Sequence, residues 1–421
     1  MGTSAKTLDA CHLLEGTKRA RRLDETWEWL TDKKAMAGVT RVGNVTGLDT
    51  IGIPVWVSVR PNSRGLAVSQ GKGATHEAAK VSALMESIEN WHAEEIDAPL
   101  RVGSYETLKS LVSPIDPRSF THWGRVALRD DLALTWIEGH EHFSDQKVWI
   151  PYEMVSGDYV VPASKSVTAA VFVQSSNGLA GGNTYWEAAT HALSEVIERH
   201  TIYQNERKIR EFSDEIKLSP DAVREPFLKQ LLERLRQAGM LVRLFALGSD
   251  IDPSGTRIPV IACSILSADD GTYWRNLPPF NGYGCHLDPA IAMARAITEA
   301  AQSRLTYIAG GRDDINPGQY RAGAHPDDLV AYRKLFSDGD AGRSIRFERP
   351  DTGQEFDSDF NTIAALLKSR GYNKIVIVDL AKPDVGIPVV KVVVPGLQVP
   401  SSLVGGAEIV QPNPVSPVGG P

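Results

Sequence analysis

The sequence predicts a mixed α/β (α+β) fold in which repeated units, each a Gly-rich turn running into an acidic helix, surround one shared cleft. Three observations predict it. Apolar residues recur at helical spacing in some stretches and at strand spacing in others. Three Gly-rich segments can be laid over one another without a gap. In each of them one position, eleven residues beyond a capping residue, is acidic. The first copy reads Gly71-Lys72-Gly73-Ala74-Thr75 and then Glu86 and Glu89. The second reads Gly178 through Gly181-Gly182-Asn183-Thr184 and then Glu195 and Glu198. The third reads Gly282-Tyr283-Gly284-Cys285 through Asp288 and then Glu299 and Gln302. Thr75, Thr184 and Asp288 are the expected N-caps, because their side-chain oxygens can accept from the free amides of a first helical turn.

Along the chain, a helical stretch is expected at Leu23–Ala35, inside an N-terminal segment that runs to about Val45. Ile53–Val59 and Leu66–Val68 read as strands, and Thr75–Ala93 as the first acidic helix. Leu132–Ile137 and Lys147–Pro151 form a hairpin around Gly139-His140-Glu141-His142. After the second acidic helix, Pro220–Ala238 carries the helix-period stripe Val223, Phe227, Leu231 and Leu235. Leu241–Leu247 and Ile258–Leu266 read as strands before the third helix, and Phe360–Ser369, Lys374–Asp379 and Pro388–Val394 close the core. Asp250–Thr256 and Asp351–Asp359 are turn-rich links. The expected organisation is an N-terminal segment over 1–45 packed on a main domain over 46–400, followed by a Pro- and Gly-rich tail over 401–421 that is mobile unless it docks.

The repeat also carries chemistry. Helix positions three apart share a face, with Cβ atoms roughly 5–6 Å apart. Glu86 with Glu89, and Glu195 with Glu198, therefore set carboxylates side by side at the edge of apolar stripes (Val81, Leu84, Met85, Ile88; Ala192, Leu193, Val196, Ile197). Such pairs repel unless water or a cation separates them. Magnesium takes one or two carboxylates and leaves positions for water and phosphate. Helix N-termini attract anions, and Lys72 adds a point charge for a phosphate. Recurrence in register points to a site for a nucleotide and its metal.

This constellation resembles the YcaO family from about Arg60 to Gly396. The resemblance rests on Ser69-Gln70-Gly71-Lys72-Gly73, on Ser82 through Glu89, on Ser176-Asn177-Gly178-Leu179 through Asn183, Thr184, Glu187, Glu195, Glu198 and Arg199, and on Glu299-Ala300-Ala301-Gln302-Ser303-Arg304. Val45-Thr46-Gly47-Leu48-Asp49, Ile53-Pro54-Val55-Trp56 and Val392-Val393-Val394-Pro395-Gly396-Leu397 resemble the subgroup that works beside a TfuA protein. The resemblance implies an enzyme that uses ATP and Mg2+ to activate a peptide backbone amide. A nucleophile adds to the amide carbon, and the oxygen is phosphorylated and leaves as phosphate. A neighbouring Cys, Ser or Thr side chain gives an azoline, and external sulfide gives a thioamide. The substrate would be a ribosomally made peptide or protein, with a TfuA-like partner and homodimerisation as in relatives.

Residue by residue, the resemblance implies magnesium ligation by Glu86, Glu89, Glu195 and Glu198, with Glu187 as a further polar contact. It implies nucleotide contacts at Lys72, Asn183, Arg199, Gln302 and Arg304, and at Arg19 within Gly16-Thr17-Lys18-Arg19-Ala20. The chain departs from relatives at Asn90, where many have Arg, and at Ala180, where some have Ser. Its tail reads Pro412-Asn413-Pro414-Val415-Ser416-Pro417, one residue out of the P-x-P-x-P spacing of azoline formers, which favours thioamidation. The alternative function is a non-catalytic, nucleotide-binding accessory that assists modification of a ribosomal protein.

Composition excludes other classes. At 421 residues, 42% hydrophobic and 23% charged, the chain is a globular protein of one large domain or two. A net charge of −7, with no basic stripe, argues against nucleic acid. Three cysteines, Cys11, Cys263 and Cys285, are too scattered for a disulfide framework or a zinc site. With no apolar signal region and no apolar run of membrane-spanning length, a cytoplasmic setting is expected. His140, Glu141 and His142 alternate in a hairpin and read as a solvated face. No His has the spacing to activate Cys285 as a nucleophile, and His200 reads as a satisfied helix-end residue. The tryptophans at 27, 29, 56, 91, 136, 149 and 186 read as core or peptide-groove lining.

Overall fold

The computed structural model describes residues 12–14, 16–160, 165–168, 170–248, 258–269, 277–312, 318, 320, 325–337, 355–401 and 407–413. The link Asp250–Thr256, Cys11, the start of the Asp351–Asp359 link and the tail beyond Asn413 lie outside them.

A ribbon of β1 (His12–Leu14) and β2 (Thr17–Arg19) leads into α1 (Leu23–Lys33). The first unit is an antiparallel sheet of β3 (Arg41–Asn44), β4 (Val55–Val59) and β5 (Val68–Lys72), with α2 (His76–Glu94) packed on it. There follow β6 (Leu100–Ser104), the single turn α3 (Tyr105–Leu108), β7 (His122–Trp123), β8 (Ala133–Glu141) and β9 (Gln146–Pro151). The second unit is β10 (Leu179–Gly181) and α4 (Tyr185–Arg210). The third runs through β11 (Lys217–Leu218), α5 (Pro226–Gln237), β12 (Met240–Ala246), β13 (Val260–Ser267) and β14 (Phe280–Cys285) to α6 (Pro289–Ala309). The chain closes with α7 (Pro326–Ser337), α8 (Phe356–Ser369), β15 (Val376–Asp379), β16 (Val389–Val393) and β17 (Ile409–Val410).

The strand order β10-β16-β15-β8-β6, with β9 beside β8, makes the central sheet, and β11-β12-β13-β14 makes the third unit's sheet. Thus β5, β10 and β14 are all edge strands, and each feeds directly into the helix of its unit. Unpaired edges need cover. Here side chains supply part of it, Glu86 accepting from the Gln70 amide, Glu89 from the Gly181 amide and Glu299 from the Tyr283 amide. The core fills the space between these layers with fully buried side chains such as Leu84, Ile88, Leu193, Ile197 and Trp136.

All three expected N-caps form. Thr75 accepts from the Ala78 amide, Thr184 from the Glu187 amide and Asp288 from the Ala290 amide. The helix expected over Pro220–Ala238 begins later, at Pro226, after a separate turn at Pro220–Ala222. Glu225 precedes a proline and stays extended, and Pro226 then starts the helix where its missing amide costs nothing.

The Gly-rich segments are part strand and part turn: Asn177-Gly178 is a turn, with Gly178 at φ 79°, and Gly73 and Gly182 lie just past their strands. Gly71 lies in β5, Gly181 in β10, and Gly282 and Gly284 in β14. A Cβ on Gly71 would collide with the Ala79 carbonyl oxygen and the Ala83 amide, and one on Gly282 with the Ala296 carbonyl oxygen and the Ala300 amide. Glycine is required there because each strand lies backbone to backbone against the helix it feeds.

The hairpin forms between β8 and β9, but its turn falls after Glu141. Glu141 is buried rather than solvated, and its carboxylate accepts from the Phe143, Ser144 and Ile375 amides, which fixes where the chain reverses. His140 remains exposed and faces Asp145 at 2.9 Å.

Candidate active site

The three units and the N-terminal ribbon converge on one cavity of about 620 Å³. Lys72, Glu86 and Glu89 line it from the first unit, and Asn183, Glu187, His191, Glu195, Glu198 and Arg199 from the second. Arg295, Glu299 and Gln302 come from the third, and Arg19 from β2. No tryptophan among the described residues lines it.

Each of the three edge strands is held by one carboxylate. Glu86 accepts from the Gln70 amide at 3.1 Å, Glu89 from the Gly181 amide at 2.6 Å and Glu299 from the Tyr283 amide at 3.3 Å. Glu89 thereby reaches out of its own unit and fastens β10 to α2. Glu299 also receives Lys72 Nζ at 2.5 Å, which joins the third unit to the first. Gln302 Nε2 donates to the Gln70 carbonyl at 2.7 Å, a second link between the same two units.

Glu195 and Glu198 are different. Among the described residues neither accepts a hydrogen bond nor meets a cation within 4.0 Å, although Glu198 is only 3% exposed. A buried carboxylate without a partner is strongly disfavoured and takes up a proton instead. Burial accordingly pushes Glu198 up to about 7, with the charge of Glu299 adding to it, and pushes Glu195 upward as well. Burial raises Glu86 to about 6 and Glu89 to about 8. Glu299 runs the other way, since Lys72 and Arg199 outweigh its burial and hold it below the ordinary range.

These orphaned carboxylates fit a cation. Among the described residues no three carboxylate, imidazole or thiol groups converge closely enough to enclose a metal unaided. Magnesium takes one or two protein carboxylates and leaves the other positions to phosphate and water.

The basic side is assembled from Arg19, Lys72, Arg199 and Arg295. The Nε atoms of Arg199 and Arg295 are buried with no acceptor among the described residues. Guanidinium donors left without an acceptor in this way suit phosphate oxygens.

Asn183 and Glu187 line the cavity, yet their polar atoms are engaged within the protein. Asn183 donates to Glu187 from both its amide and its side chain, and its Oδ1 accepts from Thr26. Glu187 also accepts from the Ala20 amide at 3.1 Å and lies 3.7 Å from Arg19. The pair therefore secures the N-terminal ribbon against α4 and holds Arg19 at the cavity wall. Lys18 adds a bond to Asp359 on α8 at 2.6 Å.

Arg304 is a correction to the sequence reading. It does not line the cavity, and its Nε meets Asp49 at 2.9 Å with both side chains almost fully buried. Five residues along an α-helix turn a side chain about 140° away, whereas the three from Glu299 to Gln302 turn it only about 60°. Arg304 therefore points off the back of α6 and fastens the segment after β3.

Several lining residues were not selected from sequence. His191 and Arg295 meet at 2.9 Å, and Gln70 sits beneath Gln302. Lys391 does not line the cavity but lies behind it, buried in β16, donating to the Ser175 carbonyl, and is lowered by burial to about 8 despite the opposing pull of Glu195. A single charge inside the apolar run Val389–Val393 was the readable signal.

Cys285 is buried, and burial pushes its thiol well above the usual range, which removes it as a nucleophile. His200 is satisfied, with Nδ1 accepting from the Gln398 amide and Nε2 facing the Tyr372 hydroxyl, although it lies within α4 and not at its end. Among the described residues no helix is long and apolar enough to cross a membrane.

The sequence model described as YcaO cyclodehydratase, ATP- and Mg2+-binding, matches residues 70–398. An uncharacterized protein of Mycobacterium tuberculosis is 34% identical over 391 residues, covering 92% of this chain and 84% of its own. A protein encoded in the tfuA 3′ region of Rhizobium leguminosarum bv. trifolii is 36% identical over 372 residues, covering 86% of this chain and 84% of its own. The fold matches that of YcaO from Methanopyrus kandleri, solved with AMPPCP and Mg2+, at a TM-score of 0.71 and 22% identity over 98% of this chain and 100% of that one. The chain therefore belongs to the YcaO family, whose members are ATP- and Mg2+-binding cyclodehydratases.

Proposed function

We propose that this cavity activates a backbone amide of a ribosomally made peptide or protein, that external sulfide then gives a thioamide, and that a TfuA-like protein assists. The observation that carries the reading is Glu198, a buried carboxylate with no partner among the described residues, standing in one cavity with Arg199 and Arg295, whose Nε atoms also lack an acceptor there. Opposite charges held apart in a closed space call for a ligand that carries both signs, and a magnesium polyphosphate does.

When bound, ATP supplies the phosphoryl group that turns the amide oxygen into a leaving group, and magnesium neutralises the charge that gathers there. The protein's part is positioning and electrostatics. Glu86, Glu89, Glu195 and Glu198 would hold the cations, one or two carboxylates to each, and Lys72, Arg19 and Arg199 would take the phosphates. Lys72 begins on Glu299, so it is already oriented at the cavity edge. Asn183 and Glu187 support Arg19 from behind. The TfuA-like partner is favoured by the 36% identical relative from a tfuA 3′ region.

The test is a reconstitution with Mg·ATP, a candidate peptide, sulfide and a TfuA-like protein. Phosphate should appear only when peptide and nucleophile are both present. The peptide should gain the mass difference between sulfur and oxygen, whereas loss of one water would mark an azoline. Glu195→Ala and Glu198→Ala should abolish turnover and leave the circular dichroism spectrum unchanged. Normal turnover by those variants would overturn the reading. Nucleotide binding without any peptide-dependent hydrolysis would make the protein an accessory.

A further inference from the structure

His191, one turn before Glu195 on α4, meets Arg295 of α6 with Nε2 2.9 Å from Nη2. Arginine has only donors, so the imidazole must be the acceptor. Its Nε2 therefore carries a lone pair, its proton resides on Nδ1, and the ring is neutral. Burial and the surrounding charges of Arg295, Arg19 on β2, Lys72 on β5 and the nearby His286 all oppose a second proton. Both residues line the cavity, and Arg295 Nε is buried without an acceptor among the described residues.

We propose that His191 is a positioning residue for the polyphosphate: it holds one edge of the Arg295 guanidinium so that the other edge faces a phosphate oxygen. The inference deepens the proposed function and rests on it. The choice of a neutral acceptor is the informative part. A carboxylate at this position would orient Arg295 equally well but would cancel the charge a phosphate needs. The cavity has carboxylates in abundance, yet none meets Arg295 within 4.0 Å among the described residues. An imidazole orients the guanidinium and leaves its charge available.

The experiment is calorimetric titration of the full chain with Mg2+ and the non-hydrolysable analogue AMPPCP. His191→Phe should weaken binding roughly tenfold, the effect of losing one charge-assisted hydrogen bond. His191→Gln, which keeps a neutral acceptor, should stay within about threefold of the parent. His191→Glu should bind no better than His191→Phe, because it orients the guanidinium but neutralises it. In an Arg295→Met background, His191→Phe should have no further effect, an outcome that a purely structural role would not produce. Parent-like affinity in a folded His191→Phe variant, or an undiminished effect in the Arg295→Met background, would overturn the proposal. An unmodified protein that does not bind the nucleotide at all would overturn the function beneath it.

Discussion

Lys72 Nζ lies 2.5 Å from Glu299 Oε2, across 227 positions of sequence, and this one bond ties the first unit of the fold to the third. Each partner stands on an element that also carries a cavity-lining acid or amide, so the bond sets the width of the site as well as joining its walls. Lys72→Met should therefore weaken Mg·AMPPCP binding by about tenfold. Its stability loss should stay under about 1 kcal/mol, because the pair is partly solvated. Titration calorimetry and thermal melting separate the two effects. A large melting shift with unchanged affinity would assign the pair to the scaffold alone.

Burial raises Glu86 to about 6, Glu198 to about 7 and Glu89 to about 8. The unfolded chain loses these protons near the ordinary value of 4.5, while the folded chain keeps them up to the raised values. Between those limits the native state binds more protons, so ligand-free stability falls as pH rises from about 5 to about 8. Melting temperatures without ligand should decline over that window. Mg2+ with AMPPCP should release protons on binding and flatten the decline. A flat profile in the absence of ligand would show that these carboxylates are already ionised.

Glu198→Gln separates stability from binding. The neutral amide removes a buried, partnerless acid, so the ligand-free variant should melt higher than the parent at pH 8. It should also bind Mg·AMPPCP at least tenfold more weakly, as a lost metal ligand demands. Differential scanning fluorimetry with and without the ligand reads both. Equal melting at pH 8 would remove the case for strain at this position.

Arg304 and Asp49 form a buried pair away from the cavity. Arg304→Met strands the Asp49 carboxylate and should cost about 3–5 kcal/mol of folding stability. The fraction that remains folded should bind nucleotide with parent affinity. Chemical denaturation followed by titration of the folded protein checks both. A selective affinity loss at unchanged stability would return Arg304 to the nucleotide.

Gly71→Ala and Gly282→Ala should each be severely destabilising. The new methyl group meets helix backbone and not a movable side chain. Soluble yield and melting temperature give the readout. Near-parent values would mean that strand and helix can part at no cost.

Much of this architecture was legible in the residues. Thr75, Thr184 and Asp288 announce their helices, because a capping oxygen at a fixed offset from an apolar stripe has few other uses. Glu86, Glu89, Glu195 and Glu198 come together because the offset places them on matching faces of matching helices. Gly178 does stand in a turn, but Gly71, Gly282 and Gly284 lie in strands, where Gly282 and Gly284 alternate at strand spacing. Glycine usually breaks structure, and only the proximity of the next helix shows why it is needed inside a strand. Arg304 was misplaced because a motif is linear while a helix turns. His191 with Arg295, and Lys391 with Ser175, join distant segments, and nothing local marks them as partners.

The span between Lys72 and Glu299 also sets when the two walls of the cavity can first meet. Translation at about 5–20 residues per second leaves roughly 10–45 s between the synthesis of the two. Throughout that interval Glu86 and Glu89 belong to a nascent chain that lacks α6, the wall that bears Arg295, Glu299 and Gln302. The cavity therefore has all its walls only once α6 has been made.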